Sequence, residues 1–485
     1  MNKIKIFAYI AVASVSALAC RDAIDIVQDG EITKEVAIQS TRDLERFLIG
    51  NVYSSLNPSN EIALTSYFTD ENAVVKSNTG WYLNEFRYQL YSDNGYVAGT
   101  WLNHYNTIDK VNRLIDLSKL ITPSSSEEKQ YNSILAQGRA LRAYSYLTLL
   151  SYFSTDMKKD DALGVILSTE VQPINAQLPR ATNGEIYKFM EEDLAFAEKN
   201  INTAASDYKY VTLAMIKALQ ARLYAYRGKY DLAEKYAKEA IAQSPALSKA
   251  PGTTLSAMPY ANMWKDSERG EVIFALSRPQ AGSWSNIAAL WTTNSTDING
   301  AAQMGMSLKL YDLYGARDIR RVVFVDASSD DDNKIIDKYP GKGNTPLRND
   351  IKIFRTTEVK LILAESYIYQ NKLAEAASII QEVRNARLYG GTVAPLPKYA
   401  TQKEAYADLL LERRLEFCYE GHRYVDLKRL GAIAGVSIDR SDRDDRILKS
   451  TPLTLPITDH RFTFPIPQNE ILGNPAISNQ QNPGY

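Results

Sequence analysis

Histidine and cysteine are scarce in this sequence of 485 residues. The three histidines, His104, His422 and His460, stand far apart, and the only cysteines are Cys20 and Cys418. No CxxC, HExxH or similar spacing occurs, which excludes the metal sites that such spacings build and any disulfide framework. Charge of one sign is lacking too. The 56 basic and 57 acidic side chains leave a net charge of -1, so there is no basic footprint for nucleic acid. Phenylalanine is sparse at 13, against 31 tyrosines. A ring with a hydroxyl suits wet, sugar-stacking surfaces and equally suits helix packing with the hydroxyl exposed.

Apolar runs are short. The longest follows Lys3 and Lys5 at the N-terminus and ends in Ala17-Leu18-Ala19-Cys20. A basic start, a brief apolar core and small residues before a cut make a secretory signal. The run falls short of the ~20 residues that a membrane-spanning helix needs. Cys20 after Leu18-Ala19 resembles a bacterial lipobox, whose cysteine is lipidated after cleavage, although Ala17 stands where that pattern prefers Leu. The alternative is a plain signal peptide. With Cys20 lipidated, Cys418 has no partner and is expected to be buried.

Helical spacing dominates the rest. Leu44, Phe47, Leu48 and Val52 recur along one face after Thr41, and helical pattern returns from Trp101 to Leu120. TPSSSEE reads as a linker that also caps the next helix. Two segments repeat one plan of helix, short turn and helix: ALQARLYAYRGKYDLAEKYAKEAI from Ala218 and LAESYIYQNKLAEAASIIQEV from Leu363. Ala221, Tyr224, Gly228 and Ala233 align with Ala364, Tyr367, Asn371 and Ala376. The turn residues, Gly and Asn, are the two types that tolerate a left-handed helix end. This looks like the tetratricopeptide pattern, in units set apart along the chain rather than in tandem. Glu271–Leu276 reads as a short strand.

The stretch ERRLEFCYEGHRYVDLKR, Glu412–Arg429, has the residue types of an active site. On a helix turning ~100° per residue, Leu410, Leu411, Leu415, Phe417 and Cys418 share one face. Glu412, Glu416 and Glu420 form a stripe on the other side, with Arg413 placed to pair with Glu416. Arg414 falls in the apolar face and must find a carboxylate or carbonyls. Gly421 would end the helix. Cys418 on the buried face is no reactive thiolate, and His422 has no nucleophile beside it. The stretch therefore reads as a structural clamp.

ERRLEFCYEGHRYVDLKRLG resembles the C-terminal signature of SusD/RagB-type outer-membrane lipoproteins. WLNHYNTIDKVNRLID, RALRAYSYLTLLSYF and TFPIPQNEILGNPAISNQQNPGY are similar to other parts of that family in the same order. The resemblance implies a mainly α fold with tetratricopeptide-like helix pairs, irregular ligand-binding loops and few short strands. It implies a leader over 1–19 and one domain over 20–485, with a helical part to 245, a loop-rich insertion over 246–346 and a C-terminal part from 347. It also implies a nutrient-binding protein without catalysis or cofactor, lipid-anchored at Cys20 to the outer membrane and facing outward, which takes oligosaccharides to a SusC-like TonB-dependent transporter. A peptide- or protein-binding helical scaffold is the alternative.

No fixed motif marks the family's ligand site, so its residues are chosen by chemistry. A sugar's C–H face stacks on an aromatic ring while its hydroxyls need amides or carboxylates nearby. Two loop stretches offer that mixture: Asn78, Trp81, Tyr82 and Asn84, and Trp284, Asn286 and Trp291. Trp101 and Trp264 are expected in the core. SSDDDN, Ser328–Asn333, lacks the Gly and Glu of a calcium loop and reads as a solvated turn.

Overall fold

Helix starts are written locally. The Ser40 side chain accepts from the Asp43 N–H and opens α1 (Thr41–Phe47), which continues into a six-residue π-helix, Leu48–Tyr53. Asn94 caps α4 (Gly95–Ser118), and Thr182 with Glu185 forms a capping box at α6 (Asn183–Asn200). Thr212 and Thr401 cap α7 (Leu213–Tyr226) and α14 (Gln402–Phe417) by accepting the Met215 and Glu404 N–H groups. The serine-rich turn is a linker only. α5 (Glu128–Phe153) has no side-chain cap, because the Ser124 hydroxyl is taken by the Glu127 carboxylate at 2.6 Å.

The computed structural model describes residues 38–251, 258–279, 287–291, 302–343 and 345–485. It is 51% helical, with sixteen α-helices and few short strands. The remaining helices are α2 (Ser59–Phe68), α3 (Leu83–Phe86), α8 (Tyr230–Ile241), α9 (Pro259–Trp264), α10 (Leu308–Leu313), α11 (Arg320–Val323), α12 (Thr356–Tyr369), α13 (Leu373–Arg387), α15 (Arg423–Ala434) and α16 (Gln468–Gly473). Three antiparallel strand pairs join distant segments: β1 (Asn72–Val74) with β5 (Met304–Met306), β2 (Leu163–Ile166) with β3 (Arg180–Thr182), and β4 (Val272–Leu276) with β6 (Ile351–Arg355). β4 is the strand expected from the sequence.

The two repeated segments are the pairs α7–α8 and α12–α13. Gly228 and Asn371 hold the left-handed turns at φ 71° and 61°, and Ala221, Ala233, Ala364 and Ala376 are all buried where the helices meet. Set apart in sequence, the pairs are neighbours in space, because α8 packs on α12. Tyr230 stacks on Tyr369 with centroids 4.4 Å apart, and its hydroxyl donates to Glu365 at 3.1 Å. Trp101 and Trp264 lie in the core.

α14 departs from its expected amphipathic character. Glu412 and Glu416 are fully buried, and the stripe faces arginines from other elements. Arg387 reaches both oxygens of Glu416 (2.9 and 3.0 Å), Arg355 one (2.7 Å) and Arg320 the other (3.1 Å). The Tyr260 hydroxyl donates to it at 2.9 Å. Glu412 takes Arg320 and Arg384, while Glu420 takes Arg355 and Lys338. Arg413 pairs with Asp426 at 2.7 Å, not with Glu416. The helix stops at Phe417, where Lys338 Nζ donates to the carbonyls of Glu416 and Cys418, both at 2.8 Å. Tyr419, at φ 65°, makes the first left-handed turn, before Gly421. Cys418 is buried, as expected.

The same segment grips the N-terminal part of the chain. Arg423 binds both oxygens of Asp70 at 2.8 Å, and Arg414 lies 3.4 Å from Oδ2. Burial alone would raise the Asp70 carboxyl, but Arg414 and Arg423 hold it well below the usual range. The Tyr419 hydroxyl and the Ser307 N–H both donate to the Glu71 carbonyl at 2.8 Å. Arg440, buried without a carboxylate, donates to the carbonyls of Tyr67, Phe68 and Thr69 at the end of α2 and to Phe86 at the end of α3. Both ends of the β1–α3 loop are thereby fixed.

Two predictions test this clamp. Glu416→Gln removes the charge that three guanidiniums share, so urea denaturation should show a loss of about 3–5 kcal/mol; a loss no larger than that of Glu375→Gln, on the exposed side of α13, would refute it. Glu71 tests the pH dependence. Burial, with Asp70 adding to it, pushes its carboxyl up to about 8 from 4.5, and the Tyr419 N–H offsets this in part. Between those values the native state keeps a proton that the unfolded chain has lost. This group's contribution is therefore whole at low pH and drains away as pH rises. Glu71→Gln should melt with the parent at about pH 5 and above it at about pH 9; a difference from the parent that is the same at both pH values shows that the Glu71 carboxyl is not raised.

Candidate functional site

The loop from Val75 to Tyr82 is built around one amide. Asn78 Nδ2 donates to the Gln303 carbonyl at 2.6 Å and to the Trp81 carbonyl at 2.9 Å, while Oδ1 accepts the Gly80 N–H at 2.7 Å. The Thr79 N–H donates to Gln303 Oε1 at 3.0 Å, and the Ser77 hydroxyl to the Ala302 carbonyl at 2.8 Å. The loop is thus stitched to the residues leading into β5. Gly80 sits at φ 107°, which a side chain would strain. Trp81 then emerges 57% exposed.

Tyr82 follows at φ 65°, a left-handed conformation that costs a residue with a Cβ about 1–2 kcal/mol. Its ring offsets that by stacking on Tyr67 of α2, with centroids 4.4 Å apart and planes 12° from parallel. Tyr67 is fully buried and its hydroxyl donates to the Leu290 carbonyl. Tyr96 of α4 meets Tyr67 edge-on at 5.8 Å and lies 6.3 Å from Tyr82. The Trp81 ring is 6.0 Å from Tyr82. An exposed indole therefore stands on a tyrosine stack that reaches the core. Asn84, one turn on, is exposed, and its side chain makes no hydrogen bond among the described residues.

The structure thus brings Asn78, Trp81, Tyr82 and Asn84 together, in different roles. Asn78 is buried with its amide fully used, so it shapes the loop and presents nothing to a ligand. Trp291 is corrected: it is 1% exposed, its indole N–H donates to Ser66 at 2.8 Å, and its ring packs against Tyr339 and Tyr419. It lies under the loop's neighbours in the core because Ser66 and Tyr67 sit side by side on α2. Trp284, Asn286 and Cys20 lie outside the described residues. Tyr67, Tyr96 and Gln303 were not singled out. Tyr96 closes the turn-rich YSDNGY stretch, but nothing local ties Gln303 to a loop 225 residues away. In SSDDDN, Asp332 pairs with Lys76 and Arg446 at the surface.

The two reactive residue types of the Glu412–Arg429 stretch, Cys418 and His422, are buried. Burial pushes the Cys418 thiol up to about 12 and holds the His422 imidazole neutral. A cavity of about 60 Å³ beside Glu61, Arg222, Glu420 and His422 has room for a few waters and is too small for a sugar.

Two family models match the chain, one described as "SusD family" over 332–485 and one as "Starch-binding associating with outer membrane" over 24–227. SusD-like protein P2 of Formosa agariphila is 24% identical, over 83% of this chain and 86% of its own. A SusD superfamily protein from Bacteroides thetaiotaomicron superposes with a TM-score of 0.76 at 22% identity, covering 92% of this chain and 100% of that one. The surface glycan-binding protein A of Bacteroides fluxus gives 0.71 at 18% identity, with 92% and 100% covered. The C-terminal clamp, the paired helices and the matched segments at both ends of the chain have one reading: this chain belongs to the SusD family.

Proposed function

We propose that the chain is a glycan-binding lipoprotein, anchored through Cys20 to the outer face of the outer membrane, that holds oligosaccharides for a SusC-like TonB-dependent transporter without transforming them. The observation that carries this reading is Trp81, exposed on a loop braced at both ends and backed by the Tyr82–Tyr67 stack. A rigid indole meets the C–H face of a sugar with little ordering cost. The free Asn84 amide beside it can donate to and accept from hydroxyls. The outer-membrane description of the matching model and the short apolar leader before Cys20 support the location, and the glycan-binding neighbour supports the ligand class. No helix among the described residues is long and apolar enough to cross a membrane, in keeping with an anchored chain.

An array of neutral oligosaccharides selects a ligand, and calorimetry then reads the variants. Trp81→Ala should weaken binding about 30-fold, the equivalent of about 2 kcal/mol, at unchanged melting temperature. Asn84→Ala should cost about 5-fold. Full affinity in Trp81→Ala, or selection of peptides in place of sugars, overturns the proposal.

A further inference from the structure

A second cleft, of about 450 Å³, lies between the π-helix, α5 and the loop that joins α6 to α7. It shares no residue with the Trp81 loop. Its volume falls in the range of small-ligand sites, roughly 300–1,000 Å³. Three features give it a chemistry.

The first is an aromatic ring with an anchored neighbour. Tyr210 is 37% exposed at the cleft wall and meets the buried ring of Tyr53 edge-on, at 5.4 Å and 86°. Tyr53 cannot turn. Its hydroxyl donates to Gln137 Oε1 at 2.7 Å and accepts the Val211 N–H at 2.8 Å. Tyr210 thus packs against an anchored ring.

The second is the polar lining. It holds amides and hydroxyls with two carboxylates and no lysine or arginine. Glu45 accepts from Gln130 at 3.1 Å. The side chains of Asn202 and Asp207 are exposed and have no partner among the described residues. Amides, hydroxyls and carboxylate acceptors beside an aromatic ring suit a neutral polyol; the lack of cations argues against phosphate or uronate. The third is the wall itself. Leu48–Tyr53 is the one π-helical stretch among the described residues, and such stretches are disfavoured locally and concentrate at functional sites.

We infer that this cleft is a second saccharide-binding site, with Tyr210 as the stacking ring and Asn202 and Asp207 as hydroxyl partners. The inference rests on the reading of the chain as a glycan binder. It gives one long saccharide two points of attachment on the same molecule, or a second short one its own place.

Calorimetry with a short neutral oligosaccharide taken from the array tests it on the full chain. The parent should bind two molecules, Trp81→Ala should keep the Tyr210 site, and Tyr210→Ala should keep the Trp81 site, each with one bound. Asp207→Ala, on an exposed loop and unable to disturb packing, should weaken the Tyr210 site about tenfold. One molecule per chain, lost with Trp81→Ala and untouched by Tyr210→Ala and Asp207→Ala, overturns the second site and leaves the first standing. Binding abolished by Tyr210→Ala and indifferent to Trp81→Ala does the reverse. No binding to any saccharide in the array overturns both.

Discussion

The Glu416 carboxylate lies in the interior of the molecule with three guanidiniums and a tyrosine hydroxyl around it. Those groups come from α9, α11, β6 and α13, elements spread over more than a hundred residues. Buried ions are costly to desolvate and gain that cost back only when every oxygen and N–H is placed. Such a cluster therefore tolerates one arrangement of its elements. Glu271 extends it to β4, through Arg355 at 2.6 Å and Arg387 at 3.0 Å. Lys338 extends it to the end of α14. Around Glu416 the charges that look reactive in the sequence are paired with one another in a lattice, while Arg413, Arg414 and Arg429 each keep one buried nitrogen without a hydrogen-bond partner among the described residues.

The lattice matters to binding because it continues to the site. From Tyr419 it passes to Glu71, and from Arg414 and Arg423 to Asp70, the residues just before β1. Arg440 closes the other end by binding the carbonyls that finish α2 and α3. Between these anchors the loop carries two left-handed residues, Gly80 and Tyr82. Strain of that kind persists only where the surroundings over-determine it. The frame thus turns an irregular segment into a rigid mount for Trp81. Tyr210 is mounted on the same principle, through a buried tyrosine hydrogen-bonded on both sides.

Much of the fold was legible because its signals are local. The turns at Gly228 and Asn371, the β4 strand and the burial of Trp101, Trp264 and Cys418 each follow from a few neighbouring residues. The position of the Trp81 loop was legible too, from an aromatic and amide-rich stretch between two helical runs. Roles within it were not. Asn78 and Asn84 are the same residue type six positions apart, and only the proximity of the Gln303 carbonyl makes one of them scaffold.

By itself, then, the sequence determined the helical periods, the left-handed turns and the family's order of segments. Tertiary structure decided which charges are buried, which tryptophan faces water and which aromatic rings share a stack. The glutamate stripe of α14 has the period of a solvated face, and Trp291 follows an apolar run much as a surface tryptophan can. Periodicity fixes which side of a helix a residue occupies, but the medium on that side is supplied by segments far along the chain.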